Sequence, residues 1–423
     1  MDKKIKVAFA GVGARGNCYA QHLACMLDKV EFVAAADIDA EKLHIFSDKY
    51  GIAPEMRFNS AEEMLEVDRL ADVMVIATID RQHYCHAMPA LNKGYHLLLE
   101  KPISPSYDEC LEIAATANRL NLKVMVCHVL RYTPFYTKIK EIIDSGVIGN
   151  VMSIQAIEQV AHWHQAHSFV RGNWRDSNET TPMIMQKCCH DTDILLWLTG
   201  KKCLSVSSFG NLTHFKRENA PEGAPERCSE VCPKYSTCPY SIEKSYLSKA
   251  RDEDYWLWPI NVVTPILTME ELTKRLESGP YGRCVYHCDN NVVDHQVLNM
   301  LMEDDLTISF TMCAFTDKCA RQIHVMGTFG EIIGNAEEEK VTLNLFGRGT
   351  EVFDTHPELG DELGHGGGDW MLIKDLVSLF ADGDGECRTD INQSVESHIV
   401  ALAAEESRIN GGKVIDVQAK INK

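Results

Sequence analysis

Lys4 to Asp37 reads KIKVAFAGVGARGNCYAQHLACMLDKVEFVAAAD, and this stretch decides the fold. Val7, Phe9 and the small residues between them suit a buried strand, and Gly11, Gly13 and Gly16 follow at once in the spacing G-x-G-x-x-G. Gly11 permits the tight turn, Gly13 lets the backbone approach a pyrophosphate, and Gly16 lets the next helix pack on the strand. The helix opening at Ala14 and Arg15 would turn its N-terminal N–H groups toward the phosphates, with Arg15 beside them. A second apolar run, Val30 to Ala36, ends at Asp37, where a carboxylate can accept hydrogen bonds from an adenosine ribose. Glycines alone gather in turns of every kind. Strand, glycines, helix and acid in this order predict a dinucleotide site, and because the acid repels a 2′-phosphate, NAD is favoured over NADP.

Outward from this stretch, the chain has 423 residues and 45 % hydrophobic content, enough for a sizeable core and two domains. A formal charge of -19 argues against nucleic acid or an anionic membrane as partner. No apolar run approaches the ~20 residues of a membrane span. The opening lysines and small apolar residues imitate a signal peptide, but cleavage there would destroy the first strand, so the stretch is read as mature sequence. Sixteen cysteines scattered through the chain suit a reducing cytoplasm better than a disulfide framework.

Strand-like runs at Ala71–Thr78, Tyr95–Leu99 and Lys123–Cys127 alternate with helical patterns, the largest being Ser106–Leu120. This predicts a doubly wound parallel sheet over residues 1–128, with ligands at the carboxyl ends of its strands, where Thr78, Lys101 and His128 fall. Over 129–423 the pattern changes. Strands are expected at Val151–Val160, Cys203–Gly210, Val285–Asp289, Asp294–Met302, Leu306–Ala314, Arg321–Gly327, Gly330–Asn335 and Lys340–Leu345, with a helix at Met183–Leu198 and closing helices at Asp369–Ala381 and Asn392–Ile409. The second domain is therefore a largely antiparallel open sheet with helices on one face, and the class is α/β overall. A Cys- and Pro-rich insertion with little visible core occupies about 215–284.

GVGARG, ADVMVIAT with DRQHYCHAMPALNKGYHLLLEKP, and RYTPFYTKIKEIIDSGVIGNV together resemble the Gfo/Idh/MocA oxidoreductases, the glucose-fructose oxidoreductase and inositol dehydrogenase family. The resemblance covers almost the whole chain. It implies an N-terminal Rossmann domain, a C-terminal α/β domain whose open sheet serves for assembly as a homodimer or homotetramer, and hydride transfer between nicotinamide and a sugar or polyol carbon. The family's signature lysine falls on Lys101. Relatives carry an Asp four residues before a His, and here Gln186 stands in that place before His190.

Lys101 can hydrogen-bond the hydroxyl or carbonyl being interconverted and stabilise oxyanion character; a surface salt bridge with Glu100 is the bland alternative. On a continuous helix, Lys187, His190 and Asp191 share a face. Gln186 cannot take a proton, so His190 would work as base with Lys187 or Asp191, unless it is merely a core histidine. His164, His167, Arg171, Trp174 and Arg175 offer donors and flat faces suited to a polyhydroxylated ring, although some would simply pack the domain interface. Arg131, His295 and the His365–Asp369 loop are further substrate-side candidates, and Thr78, His83 and Glu100 join the coenzyme side. Asp80 and His128 are lesser candidates. Cys228, Cys232, Cys238 and Cys284 form a candidate thiolate set for one structural zinc, against reduced thiols or a labile disulfide.

The leading expectation is an NAD(P)-dependent sugar or polyol dehydrogenase. The family also contains NAD-dependent glycosidases that act by transient oxidation and elimination, and non-catalytic sugar-binding regulators. The glycine-rich start and Lys187-Cys-Cys-His-Asp191 resemble those glycosidases, whereas Glu100-Lys101-Pro102 favours the dehydrogenases.

Overall fold

A computed structural model describes residues 4–357, 365–383 and 387–422, so residues 1–3 of the lysine-bearing start lie outside it. The first sheet contains β1 (Ile5–Ala10), β2 (Val30–Ala36), β3 (Arg57–Phe58), β4 (Val73–Ile76), β5 (His96–Leu99) and β6 (Val124–Val126). Its order is β3-β2-β1-β4-β5-β6, and every pairing is parallel. Val73 to Ile76 are all buried because helices cover both faces, which is why the run is continuously apolar rather than alternating. The order reverses beside β1, and the crevice at that switch point is where such sheets take ligands.

The second sheet is built from β7 (Val151–Gln159), β8 (Cys203–Asn211), β9 (His295–Met302), β10 (Thr307–Cys313), β11 (Ala320–Gly327), β12 (Gly330–Asn335), β13 (Lys340–Leu345), β14 (Gly349–Asp354) and β15 (Ile415–Asp416). These nine strands run β14-β13-β12-β11-β7-β10-β9-β8-β15, antiparallel except where β7 meets β10. Burial alternates along β9, so one face packs on helices and the other is open. The helix Ile391–Ile409, N-capped by Asp390 through Asn392 N–H, lies under this sheet and carries the buried Val395, Ile399 and Leu402 into the main core. Among the described residues, no helix is long and apolar enough to cross a membrane.

Three expectations change. Val285–Asp289 is a turn rather than a strand, because Val285 and Tyr286 are buried against Phe215 and Tyr240 instead of pairing with a sheet edge. The predicted helix Met183–Leu198 is two helices, Met183–Gln186 and Cys189–Thr199, with a break at Lys187 and Cys188. The insertion has its own core, in which Tyr246, Ile260, Leu272 and Leu276 meet. Edge strand β14 escaped the sequence reading because nearly all its side chains are exposed, leaving no alternation to detect.

Candidate functional site

At the end of β1, Gly11 adopts φ +89°, and a Cβ there would stand 2.6 Å from Ala77 O. A Cβ on Gly16 would stand 2.2 Å from Gly11 O, so the helix Ala14–Leu23 can close on the strand only with glycine at that position. Gly13 differs: a Cβ there would meet nothing within 4 Å. It is the N-cap of that helix without a side-chain cap, so the first N–H groups face open space shaped for a phosphate. Asp37, just past β2, accepts from Val12 N at 2.8 Å and Asp39 N at 2.9 Å. Both oxygens are held in place, with lone pairs left for ribose hydroxyls. These residues fit a dinucleotide.

Arg15 does not offer its charge to that space. Its Nε donates to Glu100 at 2.7 Å and its Nη2 to Asp369 at 2.5 Å, which ties the glycine-loop helix to the helix Gly368–Val377. Burial pushes the Glu100 carboxyl up, but Arg15 and Lys101 outweigh it, and the net shift is downward. Asp369 is likewise buried, and Arg15 and His365 drive it far below the usual carboxylate range. His365 reaches Asp369 through Nδ1 at 2.8 Å.

Thr78 Oγ1 meets His86 at 3.0 Å, while His83 spans Pro102 O at 2.7 Å and Thr78 O at 3.1 Å. His83 therefore braces the two strand ends that flank Lys101 rather than facing open space. Lys101 follows β5, its own N–H donating to Glu100 at 2.9 Å and its Nζ to Gln186 O at 2.9 Å. The helix break at Lys187 leaves that carbonyl without a helical partner, so the local irregularity positions the lysine. Gln186 Nε2 and Thr181 Oγ1 both donate to Asp80 Oδ2, and Asp80 Oδ1 is buried without a partner.

His190 lies among His128, with ring centroids 6.0 Å apart, and His365, at 5.8 Å. Among the described residues its Nδ1 is buried and without a partner. Burial, and next the charge of Lys101, hold its pKa well below the ordinary histidine value, so the ring is neutral. His128 is similarly depressed, chiefly by burial and then by Arg131.

The partners expected for His190 are engaged elsewhere. Lys187 pairs with Glu158 of β7 at 3.3 Å, and Asp191 takes Arg321 of β11 at 2.8 and 3.1 Å. Glu158 also meets Arg321 at 2.9 Å, giving a buried four-membered network under the sheet side of the site. Arg131 is committed too: its guanidinium grips Asp193 with two bonds of 2.7 Å.

Of the ring-recognition group, His164 is the member whose charge neighbours include Lys187 and Lys101; burial, the largest cause, lowers its pKa well below the ordinary value. Its Nδ1 lies 3.6 Å from Cys319 Sγ. His167 stacks on Tyr281 at 4.7 Å and bonds Tyr246 OH at 2.9 Å, Arg171 donates to Arg283 O and Tyr240 O, and Arg175 clasps Asp289. These three direct these bonds to the insertion and the turn beside it. Trp174 leans on Phe169 with 37 % exposure. His295 pairs with Asp294, whose other bonds cap Thr213 and His214 at the base of the insertion. The sequence reading missed Thr181, Asp193, Glu158 and Arg321; only Asp193 carried a signal, one helical turn beyond His190.

Residues 5–128 match the oxidoreductase family described as an NAD-binding Rossmann fold, and residues 136–236 match the GFO/IDH/MocA C-terminal domain. YteT of Bacillus subtilis (strain 168), designated an oxidoreductase, is 23 % identical over 393 residues, covering 89 % of this chain and 88 % of its own. Inositol 2-dehydrogenase of Salmonella typhimurium is 25 % identical over 206 residues, 48 % of this chain and 57 % of its own. Among solved structures, an oxidoreductase from Agrobacterium radiobacter in complex with NAD+, L-tartaric acid and magnesium superposes with TM-score 0.69 at 15 % identity, covering 99 % of both chains. The apo scyllo-inositol dehydrogenase of Lactobacillus casei superposes with TM-score 0.66 at 17 % identity, covering 99 % of both. With the glycine cradle, the acid after β2 and both family regions in place, this chain belongs to the Gfo/Idh/MocA family as an NAD-binding oxidoreductase.

Proposed function

We propose that this chain oxidises a CH–OH of a sugar, sugar derivative or polyol, or reduces the matching carbonyl, with NAD as redox partner. Residues 1–128 would hold the coenzyme and 129–423 would choose the substrate. The observation that carries this reading is the approach of Lys101, from the first sheet, to Gln186 O and to the neutral His190 of the second domain. Gly11, Gly13, Ala14 and Gly16 would seat the pyrophosphate and Asp37 the ribose, with Thr78 at the mouth of the crevice. NAD, when bound, supplies the hydride acceptor at its nicotinamide ring.

Lys101 would trade its bond to the Gln186 carbonyl for the substrate oxygen and stabilise the charge that builds there as the C–H bond breaks. His190 Nδ1, buried and open, would receive the hydroxyl proton, and its depressed pKa keeps it in the accepting form. Asp80, through Gln186, would keep the carbonyl aimed at Lys101. Lys187 and Asp191, locked in the network with Glu158 and Arg321, would set the floor of the pocket without moving protons. His164, with Lys187 and Lys101 among its charge neighbours, would be the member of the histidine loop to touch substrate. Inositol dehydrogenases among the relatives support a polyhydroxylated substrate.

The test is to incubate the enzyme with NAD and a panel of inositols, hexoses and aryl glycosides. NADH should accumulate in step with consumption of at least one polyol or sugar. Release of free sugar from a glycoside without NADH accumulation would replace this reading with the elimination chemistry.

A further inference from the structure

Cys228, Cys232, Cys238 and Cys284 line one small cavity of about 20 Å3 between the insertion and the chain that follows it. A cavity needs roughly 10–15 Å3 in the same measure to take a water, so this one has room for a single ion-sized occupant. Local structure delivers the sulfurs. Cys228 N donates to Gly282 O at 2.9 Å and Cys284 N to Glu226 O at 3.0 Å, with Arg227 and Arg283 bridging between them. Tight turns close at Cys232 N to Ser229 O, 3.0 Å, and Cys238 N to Lys234 O, 2.7 Å. Burial pushes the Cys228 thiol up, and the bond from Ile242 N to its Sγ at 3.4 Å offsets part of that rise.

An independent observation points to an anionic occupant. Arg171 lines the same cavity and is 1 % exposed. Its Nε and Nη2 donate to the carbonyls of Arg283 and Tyr240, both at 2.7 Å, and its Nη1 is buried without a partner. Among the described residues this buried guanidinium has carbonyls and the Tyr246 hydroxyl as neighbours but no carboxylate partner, which is costly. Four thiolates around a divalent ion carry a net charge of about -2 and would answer both the charge and the idle donor.

We propose that Cys228, Cys232, Cys238 and Cys284 bind one zinc ion, a structural centre that fastens the insertion to the π-helix Gln165–Arg171. Among the described residues, no three His, Cys, Asp or Glu side chains are gathered around a point as placed. Binding would draw the four sulfurs that line the cavity together around the ion, the coupling of metal binding to local folding that structural zinc sites show. Four soft thiolates with no carboxylate or water select zinc over magnesium or calcium. The coordination is closed, so the ion holds structure and leaves the chemistry to Lys101 and His190.

Elemental analysis of the full-length protein, purified without chelators, should find one zinc per chain. Replacing Cys228 or Cys284 with Ser should lower zinc affinity at least about tenfold, whereas Cys25→Ser, an exposed thiol outside the cavity, should leave it unchanged. Cobalt exchanged into the wild-type protein should show thiolate-to-metal charge-transfer absorption. Wild-type protein without zinc, iron with labile sulfide in its place, or full zinc retention in both serine variants would overturn the proposal. The wild-type stoichiometry decides the matter even if a serine variant fails to fold.

Discussion

Lys101→Ala is expected to cut turnover about a thousandfold while NAD affinity stays within about threefold. The two quantities separate because they rest on different parts of the chain. The coenzyme seat is made by the glycine turn, the open helix N-terminus after Gly13 and Asp37, none of which contacts the lysine side chain through a hydrogen bond. Among the described residues Lys101 Nζ bonds only Gln186 O, and its main-chain N–H stays with Glu100 whatever side chain it carries. The loss should appear equally in kcat and kcat/KM, the signature of an interaction made in the transition state. Steady-state kinetics together with coenzyme titration of the variant make the check. Lost coenzyme binding with normal turnover of the bound fraction would move Lys101 from the chemistry to the coenzyme seat.

Asp193→Ala is expected to lower stability by about 3–5 kcal/mol, because it strands a buried cation. Arg131 is 2 % exposed and Asp193 fully buried, and the two form a bidentate pair. Arg131 keeps Arg388 O at 2.7 Å and Gln393 at 2.8 Å in the variant, but neither neutralises its charge. The pair lies where the end of the first sheet meets the helix Ile391–Ile409, so the damage should be global rather than local. Urea unfolding measures it. The double variant Arg131→Met, Asp193→Leu should recover most of the loss, since apolar replacement of a buried pair is often close to neutral. A single variant as stable as wild type would show that this buried pair does not carry the stability assigned to it.

The first domain was legible because its signals are local. Gly16 is dictated by Gly11 O and Gly11 by Ala77 at the end of the neighbouring strand, and a parallel strand covered on both faces is apolar at every position. The hairpins of the second sheet were legible through alternation, except β14, whose exposed edge position erased it. The site was half legible. The structure brings Lys101, Gln186 and His190 together, but the break at Lys187 was not legible, and the partners found there, Glu158 with Arg321 beside it, lie far away in the chain. For the same reason Arg171, Arg175 and His167 looked like sugar ligands. Their residue types suit that work, and only the fold shows that the insertion and the turn beside it take these bonds.

The central claim is that a pyridine nucleotide lies across the glycine turn and the acid after β2. Calorimetric titration of the wild-type protein with NAD and with NADP tests it most directly. The account predicts saturable binding of one NAD per chain, at least about tenfold tighter than NADP because Asp37 repels the additional phosphate. No affinity for either nucleotide would contradict it, and preference for NADP would contradict the role given to Asp37.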